Sequence, residues 1–320
     1  MIGALAIPLL TASPVFAGSV LDKVKKQGVV HCGSIERPGL ASADGDDKWR
    51  GLNVDVCRAV AAAVLGSADK VVFQEYETPK QFEAIKSGAD DLFFLSASEI
   101  VTHQLVGRVL PGPTVFVETN MVMVPQDAAE QHVADLAGQK ICFPSPANVE
   151  NSVNAFFEAA DKTFQPIPFT EDGEMVDAYK VQFCHGMANE VTTLATQLND
   201  GGVNNLKNRI LPDALTAFPI MAATGTADAQ WSAIVAWTVD TLLSAERPER
   251  HWYHGGVKAL PLDGKALGLD KGWQDRVIAQ VGTYGDIFER NLGTGSSLKL
   301  ARGVNANQIG GGLLLGPFLE

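Results

Sequence analysis

The side chains with which this 320-residue chain could do chemistry are few. Six histidines stand at His31, His103, His132, His185, His251 and His254, and four cysteines at Cys32, Cys57, Cys142 and Cys184. A metal site asks for several such ligands at local spacing, typically a CxxC pair or two histidines one helical turn apart. Neither pattern occurs. Cys184 and His185 are neighbours without a second pair, and His251 and His254 fall in HWYH close to Pro248, which has the composition of an exposed loop. The chain also lacks GxSxG, HExxH, a Walker loop and GxGxxG, so it signals neither covalent catalysis nor a resident cofactor. The four cysteines form an even set with three possible connectivities. Local pairing, Cys32 with Cys57 and Cys142 with Cys184, would place one staple in each part of the chain.

Such side chains need a scaffold, and the composition supplies one. With 46% hydrophobic and 19% charged residues the chain can bury a sizeable core, divided between two domains. Its formal net charge of −12 excludes a general nucleic-acid binder, which needs a basic face. Ile2 to Phe16 carries no charge but is too short to span a bilayer comfortably, and Val15 and Ala17 occupy the small-residue positions of a signal-peptidase site. Residues 1–17 therefore read as a secretory signal cleaved after Ala17, although its basic start is missing. Export of an acidic protein with no other apolar span points to the periplasm.

Short apolar runs alternate with amphipathic segments. Strands are expected over Gly28–Gly33 and Lys70–Glu75, with helices over Val54–Leu65 and Pro79–Ser87, the last stopped by Gly88. After Val115–Val124 the pattern restarts: strand Gln139–Phe143, helix Asn148–Ala160, strand Thr163–Phe169, helix Glu174–Gln182, then an extended stretch from Leu206. Helices are expected again over Asp228–Arg247 and Lys271–Leu292. Trp231, Trp237 and Phe82 sit among aliphatic neighbours at helical spacing and read as core. Alternation of this kind implies α/β architecture with a mostly parallel, helix-covered sheet in two lobes.

Gly51–Val56 (GLNVDV) with Cys57, Arg58, Ala59 and Val60 resembles the signature of family 3 bacterial extracellular solute-binding proteins of polar amino acid ABC transporters. QFEAIKSGADDL over Gln81–Leu92, and VGTYGDIFERNLGTGSSLKL over Val281–Leu300 with Arg302–Asn305, extend the likeness toward the general L-amino-acid-binding branch. The resemblance implies a type II periplasmic-binding fold: two α/β lobes joined by a two-crossing hinge that close on a ligand and dock on an inner-membrane permease, the protein itself a monomer. Lobe 1 would be residues 19–117 plus 222–320 and lobe 2 residues 118–221, with crossings at Phe116–Val124 and Leu211–Ala222. It also favours the local cysteine pairing, since all four match cysteines of that branch.

The same resemblance implies ligand contacts, and here the chain departs from the family. In DLFFLSASEIVTHQ, Ser96 and Ser98 supply hydroxyls, but His103 stands where a carboxylate-binding Arg is expected, and Leu95 replaces a second Arg. In lobe 2 the anion-binding turn becomes Ser145, Pro146, Ala147, Asn148. Pro146 has no N–H to offer, while Asn148 is expected to cap the following helix. Glu190 aligns with the amine-binding Asp. Glu36 and Arg37, in the loop after the first strand, can compensate for the lost cations. Arg37 also reads as an exposed loop charge, and Glu99 as a solvated helix-end charge. Together Glu36, Arg37, Glu99, His103 and Glu190 point to a zwitterion larger than one amino acid, such as a short or modified peptide, glutathione being one example. The alternatives are an ordinary L-amino-acid-binding protein, a dehydratase-type enzyme on the same fold with Glu190 or His103 as acid/base, and a sensory binding protein.

Overall fold

Gly51 fixes where the first long helix begins. Its φ of 132° lies where L side chains are strained, and a Cβ there would overlap the Leu40 carbonyl. The Ala-rich run that follows is a strong helix former and ends at Gly66, which adopts the left-handed conformation. The computed structural model describes residues 19–44, 48–76, 82–199, 207–246, 263–307 and 310–316. In chain order the helices and strands are α1 (Ser19–Gln27), β1 (Val30–Ser34), β2 (Ser42–Ala43), β3 (Trp49–Arg50), α2 (Leu52–Leu65), β4 (Val71–Glu75), α3 (Phe82–Ser87), β5 (Leu92–Ser96), α4 (Ala97–Thr102), β6 (Val109–Leu110) and β7 (Thr114–Pro125). They continue with β8 (Lys140–Pro144), α5 (Asn148–Ala159), β9 (Gln165–Phe169), α6 (Asp172–Lys180), β10 (Gly186–Glu190), α7 (Val191–Asn199), β11 (Asn208–Ile210), β12 (Thr216–Gly225), α8 (Ala229–Ala245), α9 (Trp273–Val281) and α10 (Tyr284–Asn291).

The main sheet runs β4-β1-β5-β12-β7-β10-β8-β9, with β11 beside β7 and β6 beside β12. Parallel pairing is confined to its two flanks: β1 with β4 and β5, and β8 with β9 and β10. The centre is antiparallel, where the long strands β7 and β12 lie side by side with Phe218 opposite Glu118 and Thr216 opposite Asn120. Their register shifts between Ile220 and Met221. The expected parallel sheet thus has an antiparallel seam, because β7 and β12 run between the flanks in opposite directions.

Each flank has its own core. On one side Val30, Val60, Phe94, Trp231, Val277 and Phe288 belong to a large buried cluster, and on the other Val124, Ile141, Phe143, Val153 and Phe157 form a smaller one. The structure pairs Cys32 of β1 with Cys57 of α2, and Cys142 of β8 with Cys184 just before β10, with Cα separations of 6.4 Å and 5.7 Å. Each bond ties an element of a flank to its neighbour. Among the described residues no helix is long and apolar enough to cross a membrane.

Two expectations need correction. The helix expected over Lys271–Leu292 is two helices, because Gly282 at φ 89° ends α9 and the Thr283 hydroxyl with Asp286 forms a capping box that starts α10. Asn148 does not cap α5; the cap position is Ala147, and Asn148 is the first helical residue. The expected signal over residues 1–17, the HWYH loop and Pro79 to Gln81 lie outside the described residues.

One polar anchor holds the start of β7. The buried Asn305 side chain accepts from the Val117 N–H at 2.7 Å and donates to the Val117 carbonyl at 2.9 Å, while the Tyr284 hydroxyl donates to the Val115 carbonyl at 2.8 Å. Asn305→Ala would leave both Val117 groups unsatisfied at about 1–3 kcal/mol each, so urea denaturation should show a loss of about 3 kcal/mol with little change of slope. For the disulfides, alkylation of the denatured, unreduced protein should add no mass, and reduction should lower the melting temperature. By the chain-entropy model, closed loops of this kind stabilise by about 3–4 kcal/mol each. Alkylation before reduction would contradict the pairing.

Candidate functional site: a buried guanidinium between two carboxylates

The loop after β1 folds back on itself: the Arg37 N–H donates to the Ala41 carbonyl, and the Leu40 and Ala41 N–H groups donate to the Arg37 carbonyl. Held at that turn, Arg37 is 8% exposed, so its reading as an exposed loop charge is corrected. Its Nη2 donates to Glu99 Oε1 at 2.6 Å and its Nε to Glu190 Oε2 at 3.2 Å. The remaining nitrogen, Nη1, is buried and has no hydrogen-bond partner among the described residues.

Glu99 is positioned by the start of α4 rather than by solvent. Its Oε2 accepts the Ser96 N–H at 2.7 Å while the Ser96 hydroxyl accepts the Glu99 N–H at 3.2 Å, a capping box that leaves Oε1 for Arg37. Glu190 arrives from the other flank, at the end of β10 and opposite Asn120 of β7. Burial works against the Arg37 charge, but Glu99 and Glu190 outweigh it and hold the guanidinium firmly protonated.

A third carboxylate, Glu118 of β7, was not singled out by sequence. It is fully buried; its Oε1 accepts the Thr119 N–H at 3.0 Å and its Oε2 accepts the Thr192 hydroxyl at 2.7 Å. Burial first, and then the negative charge of Glu190, pushes its carboxyl up to about 7, against the pull of Thr192, Arg37 and the Thr119 N–H. The sequence did carry a signal, since Glu118 interrupts the apolar run of VFVETNMVMV and a charge in such a strand needs partners.

The other expected site residues have different surroundings. His103 caps the end of α4 through its N–H and lies flat on Phe82, ring centroids 3.7 Å apart, with Phe82 in turn against Tyr76. The Ser96 hydroxyl is occupied by the α4 cap. The Ser145 hydroxyl donates to Glu150 Oε2 at 2.7 Å. Glu36, Ser98 and Asn148 are exposed, as is Pro146, which offers no N–H. The structure therefore joins Arg37, Glu99 and Glu190 directly, with Ser96 orienting Glu99 and Glu118 added electrostatically, while Glu36, Ser98, His103, Ser145 and Asn148 stand outside that network. Among the described residues no group of three or more His, Cys, Asp or Glu is arranged to hold a metal ion. Chemically, three carboxylates around one guanidinium favour an added cation, and the open Nη1 favours an anion.

No family model matches the chain. Among curated proteins it is 30% identical over 99% of its length, and 97% of the relative's, to YhdW of Escherichia coli K12, named as an amino-acid ABC transporter-binding protein. It is 29% identical to the general L-amino acid-binding periplasmic protein AapJ of Rhizobium johnstonii, covering 98% of this chain and 96% of that one. Among solved structures, a Brucella ovis ABC transporter periplasmic binding protein with glutathione bound is 30% identical, with a TM-score of 0.73 over 93% of this chain and 98% of that one. The ancestral cationic amino acid solute-binding protein AncCDT-1, 15% identical with a TM-score of 0.57, shares the fold. With its two α/β lobes joined by two crossing strands in the type II periplasmic-binding fold, the chain belongs to family 3 of the extracellular solute-binding proteins, the amino-acid-binding components of ABC transporters.

Proposed function

We propose that this protein captures a small peptide-like zwitterion between its lobes and delivers it to an ABC permease, acting as an exported monomer without catalysis. The observation that carries this reading is the Arg37 bridge, whose two carboxylates come from opposite flanks of the sheet. A ligand carboxylate would take the open Nη1 of Arg37, and a ligand ammonium would take Glu190, whose side chain is partly exposed. The bridge itself can then persist. Lobe 1 would comprise residues 19–117 and 222–320, lobe 2 residues 118–221, and residues 1–17 would be removed on export. Glu36, Ser98, Ser145 and Asn148 would line the rim of the cleft, with Ser145 and Asn148 at the start of α5.

His103 lies against an aromatic ring and cannot offer the bidentate fork that an α-carboxylate prefers. A single amino acid has one carboxylate and one ammonium close together, whereas a short peptide separates them and adds further polar groups. Glutathione, the ligand of the Brucella ovis protein, has two carboxylates and one ammonium and suits this separation.

Calorimetry should show glutathione or a related short peptide binding in the micromolar range or tighter, and the common L-amino acids more weakly. Sub-micromolar binding of an ordinary amino acid would return the chain to plain amino-acid capture. Glu190→Gln should weaken the best ligand by about 1.5–3 kcal/mol, roughly ten- to a hundredfold, through loss of a charge-assisted contact. Closure is read separately: small-angle scattering should give a smaller radius of gyration at saturating ligand, and an unchanged radius would refute lobe closure.

A further inference from the structure

The two carboxylates that hold Arg37 are themselves held without it. Glu99 is fixed from its own helix, its Oε2 accepting the Ser96 N–H and its N–H donating to the Ser96 hydroxyl, so the start of α4 presents Oε1 whatever stands opposite. Glu190 is fixed at its backbone, in register with Asn120 of β7 and with its N–H donating to the Asn189 side chain at 2.8 Å. Arg37 is anchored only at its backbone, by the turn to Ala41, and its side chain reaches the carboxylates from there. Nη2 meets Glu99 at 2.6 Å, Nε meets Glu190 at 3.2 Å, and the buried Nη1 meets no acceptor. The place is not sealed, since the side chains of Arg37, Glu99 and Glu190 remain 9%, 13% and 22% exposed. Two carboxylates so enclosed are unfavourable unless a cation sits between them.

We propose that Glu99 and Glu190 form a cation subsite for a planar guanidinium-type group, which this chain fills with its own Arg37 side chain, and that Arg37 is thereby the specificity-determining residue that closes the subsite to cationic ligands and turns it toward anions. The match is one of shape as well as charge. Two separate nitrogens of one planar group serve two carboxylates that approach from different flanks, whereas an ammonium carries all its donors on a single atom. With Arg37 in place, an incoming cation meets a like charge and no free volume, while an incoming carboxylate meets Nη1. Truncating Arg37 at Cβ leaves a space with the outline and hydrogen-bond pattern of the group removed, lined by carboxylates without a counter-ion, and a free guanidinium ion re-occupies it. The bearing on the natural ligand rests on the reading of Arg37 and Glu190 as the ligand site; the subsite itself does not.

The test is thermal unfolding and calorimetry of the full chain with guanidinium chloride up to about 50 mM, far below denaturing concentrations, against sodium chloride at equal ionic strength. Arg37→Ala should melt lower than wild type, bind guanidinium with a Kd of about 1–10 mM, and regain about 2–5 °C at the top of the titration. Wild type, its subsite already filled, should bind guanidinium at least about tenfold more weakly and gain nothing. Adding Glu99→Gln to Arg37→Ala removes one carboxylate and should abolish the response. If Arg37→Ala does not fold unaided, refolding yield from urea is compared in the two salts, and guanidinium alone should restore it. A response no larger than that of wild type, a response that survives Glu99→Gln, or equal refolding yields in both salts overturns the subsite and leaves the peptide-zwitterion reading standing. Reduced glutathione is titrated in parallel, and Arg37→Ala should bind it at least about tenfold more weakly than wild type. Unchanged glutathione affinity in that variant overturns the specificity role of Arg37, whereas failure of wild type to bind glutathione sinks the peptide-zwitterion reading and not the subsite.

Discussion

Arg37 carries a full charge into a place with little water, a transfer that costs several kcal/mol unless carboxylates sit close enough to offset it. Much of the local architecture follows from that requirement. Glu99 can approach only because the Ser96 cap orients the first turn of α4, and Glu190 can approach only because β10 ends opposite Asn120. The two carboxylates belong to different flanks of the sheet, so the guanidinium couples their positions. Separating the flanks would break one half of its coordination while leaving the Glu99 half intact.

This division gives the bridge a polarity. The contact within one flank is short and backed by a helix cap, whereas the contact across to Glu190 is longer, at 3.2 Å, and made by a carboxylate with 22% of its side chain exposed. The cross-flank contact is thus the weaker one, more screened by solvent. Were the two flanks to part, Arg37 would remain paired with Glu99.

Much of the fold was legible in the residues. The Ala-rich run Val54–Leu65 marked α2 to within two residues of its start, the alternation of apolar runs announced the two flanks, and the cysteine spacing admitted the pairing that the structure adopts. The short strands β5 and β10 and the helix α7 escaped a periodicity reading, because five buried residues in a row, as in LFFLS, look alike as strand or as helix. Residue type singled out Arg37 and Glu190 as candidates, but their burial and their pairing through Glu99 emerge only from the structure. Glu99 looked like an end-of-helix charge and is indeed in a cap, yet the same carboxylate holds Arg37. His103 looked like a failed arginine, and its ring is spent on Phe82. Glu118 was marked only as a charge interrupting an apolar strand, and what it pairs with emerges only from its neighbours in space.

The Asn305 anchor on β7 joins residues 188 apart in sequence, and it is one of several such ties. The Val20 N–H of α1 donates to Asp228 at the start of α8, and the Ala68 N–H donates to the Gln280 side chain of α9. The opening third of the polypeptide is thus completed by the last. During synthesis or threading through a pore, the early segments can form helices and hairpins, but the Asn305 bonds to the Val117 backbone cannot form until nearly the whole chain has emerged. The order in which the chain becomes available sets the order in which it can lock, and a late lock leaves the nascent chain pliable until its end has arrived.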